Sequence, residues 1–120
     1  MFPKVFRTIH TPEVAAIVGD RIGRHGFVKQ TEQRPYITWQ IISGQPFDNL
    51  SSAPTGDFTT VQIDCYCGGD NADGQVEALA TAVRAALDAV LICNRLVVNS
   101  RDPDTGLFRV GMEADFIDQR

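Results

Sequence analysis

The strongest pattern in the chain is an apolar stripe at helical spacing in the segment "GGDNADGQVEALATAVRAALDAVL". Apolar side chains recur there every three or four residues, which places them on one face of an α-helix. Asp70 or Asn71 can cap the start of this helix by accepting hydrogen bonds from free backbone N–H groups. An isolated helix is marginal in water, so the stripe predicts a sheet beneath it. The stripe comprises Val76, Leu79, Ala80, Val83, Leu87 and Val90.

The N-terminal pattern predicts a helix that a proline interrupts. Thr11 is placed to cap a fresh helical start, and Pro12 suits the first helical position, where its missing N–H costs nothing. Gly19 can end this second piece, and we expect a loop with a short strand at residues 21–23 to follow. The apolar residues that precede the break are Phe2, Val5, Phe6 and Ile9.

Four segments predict strands, three of them by alternation between apolar and polar residues, which gives a strand one buried face. They are "YITWQIIS", "FTTVQIDCYC", "LVVNS" and "LFRVGMEADFID". Together with the helices they predict an α+β fold: a single, mostly antiparallel sheet of about four strands with two helices packed on one face. A chain of 120 residues fits one domain, residues 1–120.

The segment "GQPFDNLSSAPTGD" predicts a long loop, since it combines two prolines and two glycines with Asn, Asp and Ser. Loops longer than about 12 residues are uncommon within compact domains and are usually functional or disordered. The segment is therefore a candidate interaction element.

Charge and composition exclude several function classes. The net charge is −4 and the basic residues are scattered, whereas a nucleic-acid-binding surface needs clustered Lys and Arg. No apolar run reaches the roughly 20 residues of a membrane span, and the N-terminus lacks a signal peptide's apolar region. We therefore expect synthesis in a cytosol and no membrane partner. The three cysteines, Cys65, Cys67 and Cys93, form no CxxC pair, and we interpret them as small buried hydrophobes.

The segment "DPDTGLFRVGME" superficially resembles a calcium loop, but we interpret it as a hairpin turn. A calcium loop of the EF-hand type needs a ligand at its fifth position and a glycine at its sixth, where this chain has Gly106 and Leu107. The alternation that follows Leu107 carries Glu113 along a strand, roughly 20 Å from the turn. Pro103 and Gly106 suit a tight turn, so we expect no metal.

No catalytic arrangement is visible in the sequence. Neither His10 nor His25 has a carboxylate or cysteine spaced to form a triad, and no phosphate-binding loop is present. Three carboxylates, Asp64, Glu113 and Asp115, project from two predicted strands onto the face opposite the core. A solvated sheet face is the simplest interpretation of them. We expect no catalytic residue and no cofactor.

Five segments together resemble the phage tail-completion family, which comprises small tail terminator or head-to-tail joining proteins of long-tailed phages. They are "AAIVGDRIG", "RPYITWQIISGQP", "TTVQIDCYC", "ALATAVRAALDA" and "RDPDTGLFRVGMEADF". Their order and approximate spacing match the family from Pro12 to Phe116, although the first helix is shorter and the C-terminal "FIDQR" has fewer aromatic residues than expected.

The resemblance implies a structural protein of the virion rather than an enzyme. Family members form a ring, commonly a hexamer, at the head-proximal end of the tail, where it terminates growth of the tail tube. The implied partners are other copies of the chain, the tail tube protein and a head-completion or connector protein. DNA passes through such a ring without specific binding.

The resemblance also suggests roles for the two candidate elements. An acidic wall would repel phosphate, so Asp64, Glu113 and Asp115 are candidates for a channel face. The long loop is a candidate contact to a neighbouring subunit or an adjoining ring. Its candidate residues are Gln45, Pro46, Phe47, Asp48, Asn49, Leu50, Pro54 and Asp57.

Three alternatives remain open at the level of sequence. The chain could be another neck component, such as a head-completion or connector protein, which shares the same assembly logic. It could be a small cytosolic enzyme that uses the three carboxylates as acid and base, which requires a concave pocket and a shifted pKa. It could also be a metabolic oligomer outside the virion, although no cofactor motif supports that interpretation.

Overall fold

The computed structural model describes residues 3–24, 35–46, 56–69, 72–104 and 106–119. These residues form three helices and five strands. The helices are α1 (Val5–Ile9), α2 (Pro12–Val18) and α3 (Ala72–Ala89). The strands are β1 (Ile22–Arg24), β2 (Tyr36–Pro46), β3 (Gly56–Cys67), β4 (Asn94–Arg101) and β5 (Phe108–Gln119).

The strands form one sheet in the order β1-β2-β3-β5-β4, in which only the β1–β2 pair is parallel. The predicted α+β class and mostly antiparallel sheet are confirmed. The sheet has five strands rather than about four, because β1 adds a short edge strand. The described helices number three rather than two, because Pro12 separates α1 from α2 as the sequence predicts.

The core lies between α3 and the sheet. Leu79, Val83 and Leu87 on α3 are fully buried, as are Ile63 on β3 and Met112 on β5. Ile63 and Met112 are direct cross-strand partners, so the two longest-paired strands supply the centre of the apolar surface that α3 covers. Burying each such side chain stabilises the fold by about 1.5–3 kcal/mol before the entropy of ordering is subtracted.

The end of α3 corrects one expectation. Val90 was placed on the buried stripe, but the helix ends at Ala89 and Val90 is 56% exposed. Leu91 has a φ of 60°, and the N–H of Ile92 donates to the carbonyl of Leu87 at 3.0 Å. This is the left-handed helix termination that usually employs glycine, and it follows directly after Val90, which lies beyond the last helical residue and outside the core.

The predicted loop after β2 is shorter than expected. Pro46 lies opposite Asp57 in the β2–β3 ladder, so Gln45, Pro46 and Asp57 belong to strands. Pro46 is tolerated because it stands at the end of β2, where the described residues place no strand on the outer side. Of the other candidate loop residues, Phe47, Asp48, Asn49, Leu50 and Pro54 lie outside the described residues.

The predicted turn after β4 is confirmed. The N–H of Gly106 donates to the carbonyl of Asp102 at 2.8 Å, and Gly106 has a φ of 76°, a conformation that favours glycine. The Asp102 side chain accepts a hydrogen bond from the N–H of Asp104 at 2.9 Å, which holds the turn locally.

Two of the three cysteines are buried as expected. Burial raises the pKa of the Cys65 and Cys67 thiols, so both remain protonated and unreactive near neutral pH. Cys93 is exposed, contrary to expectation, because it lies in the connection between α3 and β4. None of the described helices combines the length and apolarity that crossing a membrane would require.

Candidate functional site

The polar face is the sheet surface opposite α3. It arises because side chains alternate between the two faces along each strand. The residues that follow and precede each buried residue therefore point away from the helices. Asp64 on β3 and Glu113 and Asp115 on β5 lie on it, and the ladder sets Gln62 opposite Glu113 and Thr60 opposite Asp115.

One charged cluster on the polar face joins Arg95 on β4 to two carboxylates on β5. Its guanidinium lies 2.8 Å from a carboxylate oxygen of Glu113 and 3.1 Å from one of Asp115. The Thr60 hydroxyl donates to the other oxygen of Asp115 at 2.9 Å. The hydrogen bonds that Arg95 donates to Asp115 and, with a smaller effect, to Glu113 raise the pKa of Arg95. The cation is therefore held by protein carboxylates.

A second charged cluster joins Arg109 on β5 to Asp64 on β3. Two guanidinium nitrogens of Arg109 lie 3.0 and 3.1 Å from Oδ1 of Asp64. The Gln62 amide donates to the same carboxylate at 3.2 Å. The Asp64 side chain is only 8% exposed, so this pair is largely desolvated. Removing one partner would leave a buried charge uncompensated.

Gly111 makes room for that second cluster. It lies directly opposite Asp64 in the ladder, and a Cβ at this position would stand 2.6 Å from Oδ1 of Asp64. A separation below 3.0 Å is not sustainable for a real Cβ contact. The absence of a side chain at residue 111 therefore leaves room for the Asp64 carboxylate where it binds Arg109.

Two tyrosines extend the polar face towards β2. The rings of Tyr36 and Tyr66, which are cross-strand partners, stack with centroids 4.9 Å apart. Burial raises the pKa of both phenols, and the negative charge of Asp64 raises the pKa of Tyr66 further. Arg109 and a hydrogen bond with Thr38 act against that rise. Both phenols are therefore neutral at physiological pH.

A shallow depression of about 260 Å³ lies on the polar face beside these residues. Its lining is dominated by groups that already have partners, including Asp64, Arg109 and Gln62. No group of three or more potential metal ligands occurs among the residues that the structure describes. The arrangement provides a charge-paired surface on which the carboxylates and guanidiniums bind one another.

The sequence analysis predicted the face of the three carboxylates but missed their cations. The structure places a cation beside each acid, since Asp64 pairs with Arg109 and both other acids pair with Arg95. Arg109 lies four residues before Glu113 on the same strand, so the alternation of β5 alone predicts that Arg109 shares this face. The pairing of Arg95 with Glu113 and Asp115 could not be predicted in this way, because it requires β4 to lie beside β5 and alternation does not give strand order.

Comparisons with known proteins assign the chain to a family. A chain from the solved virion of a native gene transfer agent particle has the same fold, with a TM-score of 0.64 at 16% sequence identity; the alignment covers 97% of this chain and 92% of that one. None of the curated proteins searched matches the chain. The family model described as tail completion protein gp17 matches residues 6–117. The chain therefore belongs to this tail completion family, and it is a structural protein of a phage-like virion rather than an enzyme.

Proposed function

We propose that copies of this chain form a ring of six subunits at the head-proximal end of the tail. The ring ends tail-tube growth, contacts the tail tube protein on one side and a head-completion or connector protein on the other, and lets DNA pass. The observation that carries the proposal is the family match over residues 6–117.

Self-assembly is supported by the exposed apolar surface. Leu96 and Val97 on the edge strand β4 are about half exposed, and β4 has no strand on its outer side among the described residues. Soluble monomers normally protect such edges with charges, prolines or a covering element. Between Arg95 and Arg101, the run "NRLVVNSR" presents apolar side chains beside open backbone groups, which suits contact with another protein.

DNA passage is supported by the pairing of charges on the polar face. A guanidinium that is free to bind phosphate adds affinity and salt dependence, which would slow DNA in a channel. Arg95 and Arg109 are occupied by Glu113, Asp115 and Asp64, so their charges are already neutralised. We infer that the carboxylates serve the channel by binding these arginines as well as by repelling phosphate.

The test is electron microscopy of a lysate from a phage that carries a stop codon in this gene. Tails of uncontrolled length beside unattached, filled heads are expected. Tails of normal length with leaking heads would instead place the chain on the head side of the neck, and normal virions would refute the structural role. Complementation with the intact chain controls for effects on neighbouring genes.

A further inference from the structure

A groove of about 580 Å³ lies where the end of β5 meets α1 and the end of α3. We call it the terminal groove. Val90, Leu91 and Ile117 line it and are all strongly exposed, with Leu91 93% exposed. The charged residues Lys4, Arg7 and Asp115 also line it, and Asp115 is already bound by Arg95. A contiguous exposed apolar group bordered by charged residues marks an interaction surface rather than ordinary solvent-facing protein.

β5 offers an open edge in this groove. β4 begins at Asn94, opposite Ala114, so within the described ranges no strand flanks β5 beyond that point on this side. The N–H of Asp115 points to this side, because it donates to the carbonyl of Cys93 at 2.9 Å. Backbone direction repeats every second residue, so the N–H and carbonyl of Ile117 point the same way. An extended segment can therefore pair with β5 here.

We propose that the terminal groove of one copy receives the β2–β3 connection, residues 47–55, of a neighbouring copy. The proposal rests on the proposed ring and names the contact that joins its subunits. The segment "FDNLSSAPT" supplies the apolar Phe47 and Leu50 for the groove wall and Asp48 for Lys4 and Arg7. No lysine or arginine occurs between residues 43 and 57, so its charge is purely acidic.

The register favours a neighbouring copy over the chain's own groove. Phe58 lies opposite Ile117, and the ladders continue to Gly56 opposite Gln119 and to Asp57 opposite Pro46. The described ends of β2 and β3 therefore lie about 7 Å beyond Ile117, on the side of β5 away from its open edge. To reach its own groove, the connection would have to cross the end of β5. A neighbouring copy's segment can approach the open edge without that crossing.

Cysteine cross-linking tests the pairing directly. In a Cys93→Ser background, which removes the exposed thiol, Leu50→Cys and Ile117→Cys are placed in separate chains that together complement the stop-codon phage. Mild oxidation of the particles should link the two variants, and mass spectrometry should find residue 50 joined to residue 117. Ala85→Cys, on an exposed position of α3 outside the groove, replaces Ile117→Cys as the matched control and should give no link.

Each other result overturns the proposal. Links between two Ile117→Cys chains would indicate symmetric pairing of β5 with β5. A link to the tail tube protein would give the groove a different occupant. A link only when both cysteines share one chain would show that the segment occupies its own groove. Particles that terminate tails normally yet form no 50–117 link would refute the groove contact while leaving the proposed function intact.

Charge exchange gives an independent readout. Arg7→Glu should weaken self-association measured by sedimentation, and Asp48→Arg in the same chain should restore it. Leu91→Asp should weaken it about tenfold or more, because it puts a charge at the centre of an apolar contact. Ala85→Asp adds the same charge elsewhere on α3 and should leave association unchanged. Equal effects of the two aspartates, or no rescue by Asp48→Arg, would contradict the proposal.

Discussion

At the scale of single residues, Gly111 is the position where sequence most directly controls the polar face. Its missing side chain gives Asp64 the space to reach Arg109, and the carboxylate is almost completely enclosed there. The pairing of Asp64 with Arg109 thus depends on the lack of a Cβ at Gly111 on β5. A side chain at residue 111 would collide with the Asp64 carboxylate and so disturb its ion pair with Arg109.

Replacement of Gly111 by alanine should lower the free energy of unfolding by about 1–3 kcal/mol, because the new methyl displaces the Asp64 carboxylate. Urea unfolding measures this. Gly74→Ala is the matched control: a Cβ there meets nothing within 4 Å, and alanine favours the helix by up to about 1 kcal/mol. An equal rise in the free energy of unfolding for both variants would show that the Asp64 carboxylate moves aside without cost.

The two tyrosines predict a pH dependence on the alkaline side. Tyr36 and Tyr66 are the chain's two tyrosines, and both have a pKa above the ordinary value of 10.0 in the folded state. A raised folded pKa favours the protonated phenol, so its contribution to stability is complete below pH 10 and is lost as pH rises through the folded pKa.

Ultraviolet absorption of tyrosinate measures this titration without labels. The folded protein should titrate above pH 10 and the urea-unfolded protein near 10, with the free energy of unfolding falling over the same alkaline interval. Tyr36→Phe isolates Tyr66, whose pKa should fall when Asp64→Asn removes the adjacent negative charge. Identical folded and unfolded titrations would contradict the burial of these phenols.

At the scale of elements, periodicity predicts whether a segment is a helix or a strand more accurately than it predicts where that segment ends. The stripe on α3 and the alternation of β3 and β5 gave the type and buried face of these elements. The end of α3 was misplaced because Leu91 adopts a conformation that sequence patterns assign to glycine. The start of the β2–β3 connection was misplaced because Pro46 stands at a strand end that tolerates proline.

The position of the helix end has a measurable consequence. Leu87→Ala should lower the free energy of unfolding by about 2–5 kcal/mol, since Leu87 is fully buried. Val90→Ala, three residues later, should change it by less than about 0.5 kcal/mol, because the side chain lies outside the core. Comparable losses in urea unfolding would mean that the buried stripe continues to Val90.

At the scale of the whole molecule, the sheet separates two tasks between its faces. One face is covered by helices and holds the apolar core, while the other carries the paired charges. Sequence alternation predicted this division, but the partner of each charge required the strand order, which results from contacts distant in sequence. The proposed channel role follows from the second face.

The pairing of Arg95 makes the proposed channel testable with DNA. Glu113→Gln together with Asp115→Asn should free one guanidinium per subunit and give the assembled ring a measurable affinity for duplex DNA. Each phosphate then contacted steepens the slope of log affinity against log salt by about 0.9. Adding Arg95→Gln to the same chain should abolish the gain. Unchanged DNA affinity in the double variant would indicate that this face does not meet DNA.

The strand order also bears on how the molecule is made. β5 is the last of the described strands along the chain, yet it lies between β3 and β4 and pairs with both. During translation the sheet stays split until residues 108–119 have left the ribosome, since neither neighbour has a partner on that side before then. A chain cut short before β5 therefore lacks the strand that joins β4 to the rest of the sheet and half of the apolar surface that α3 covers.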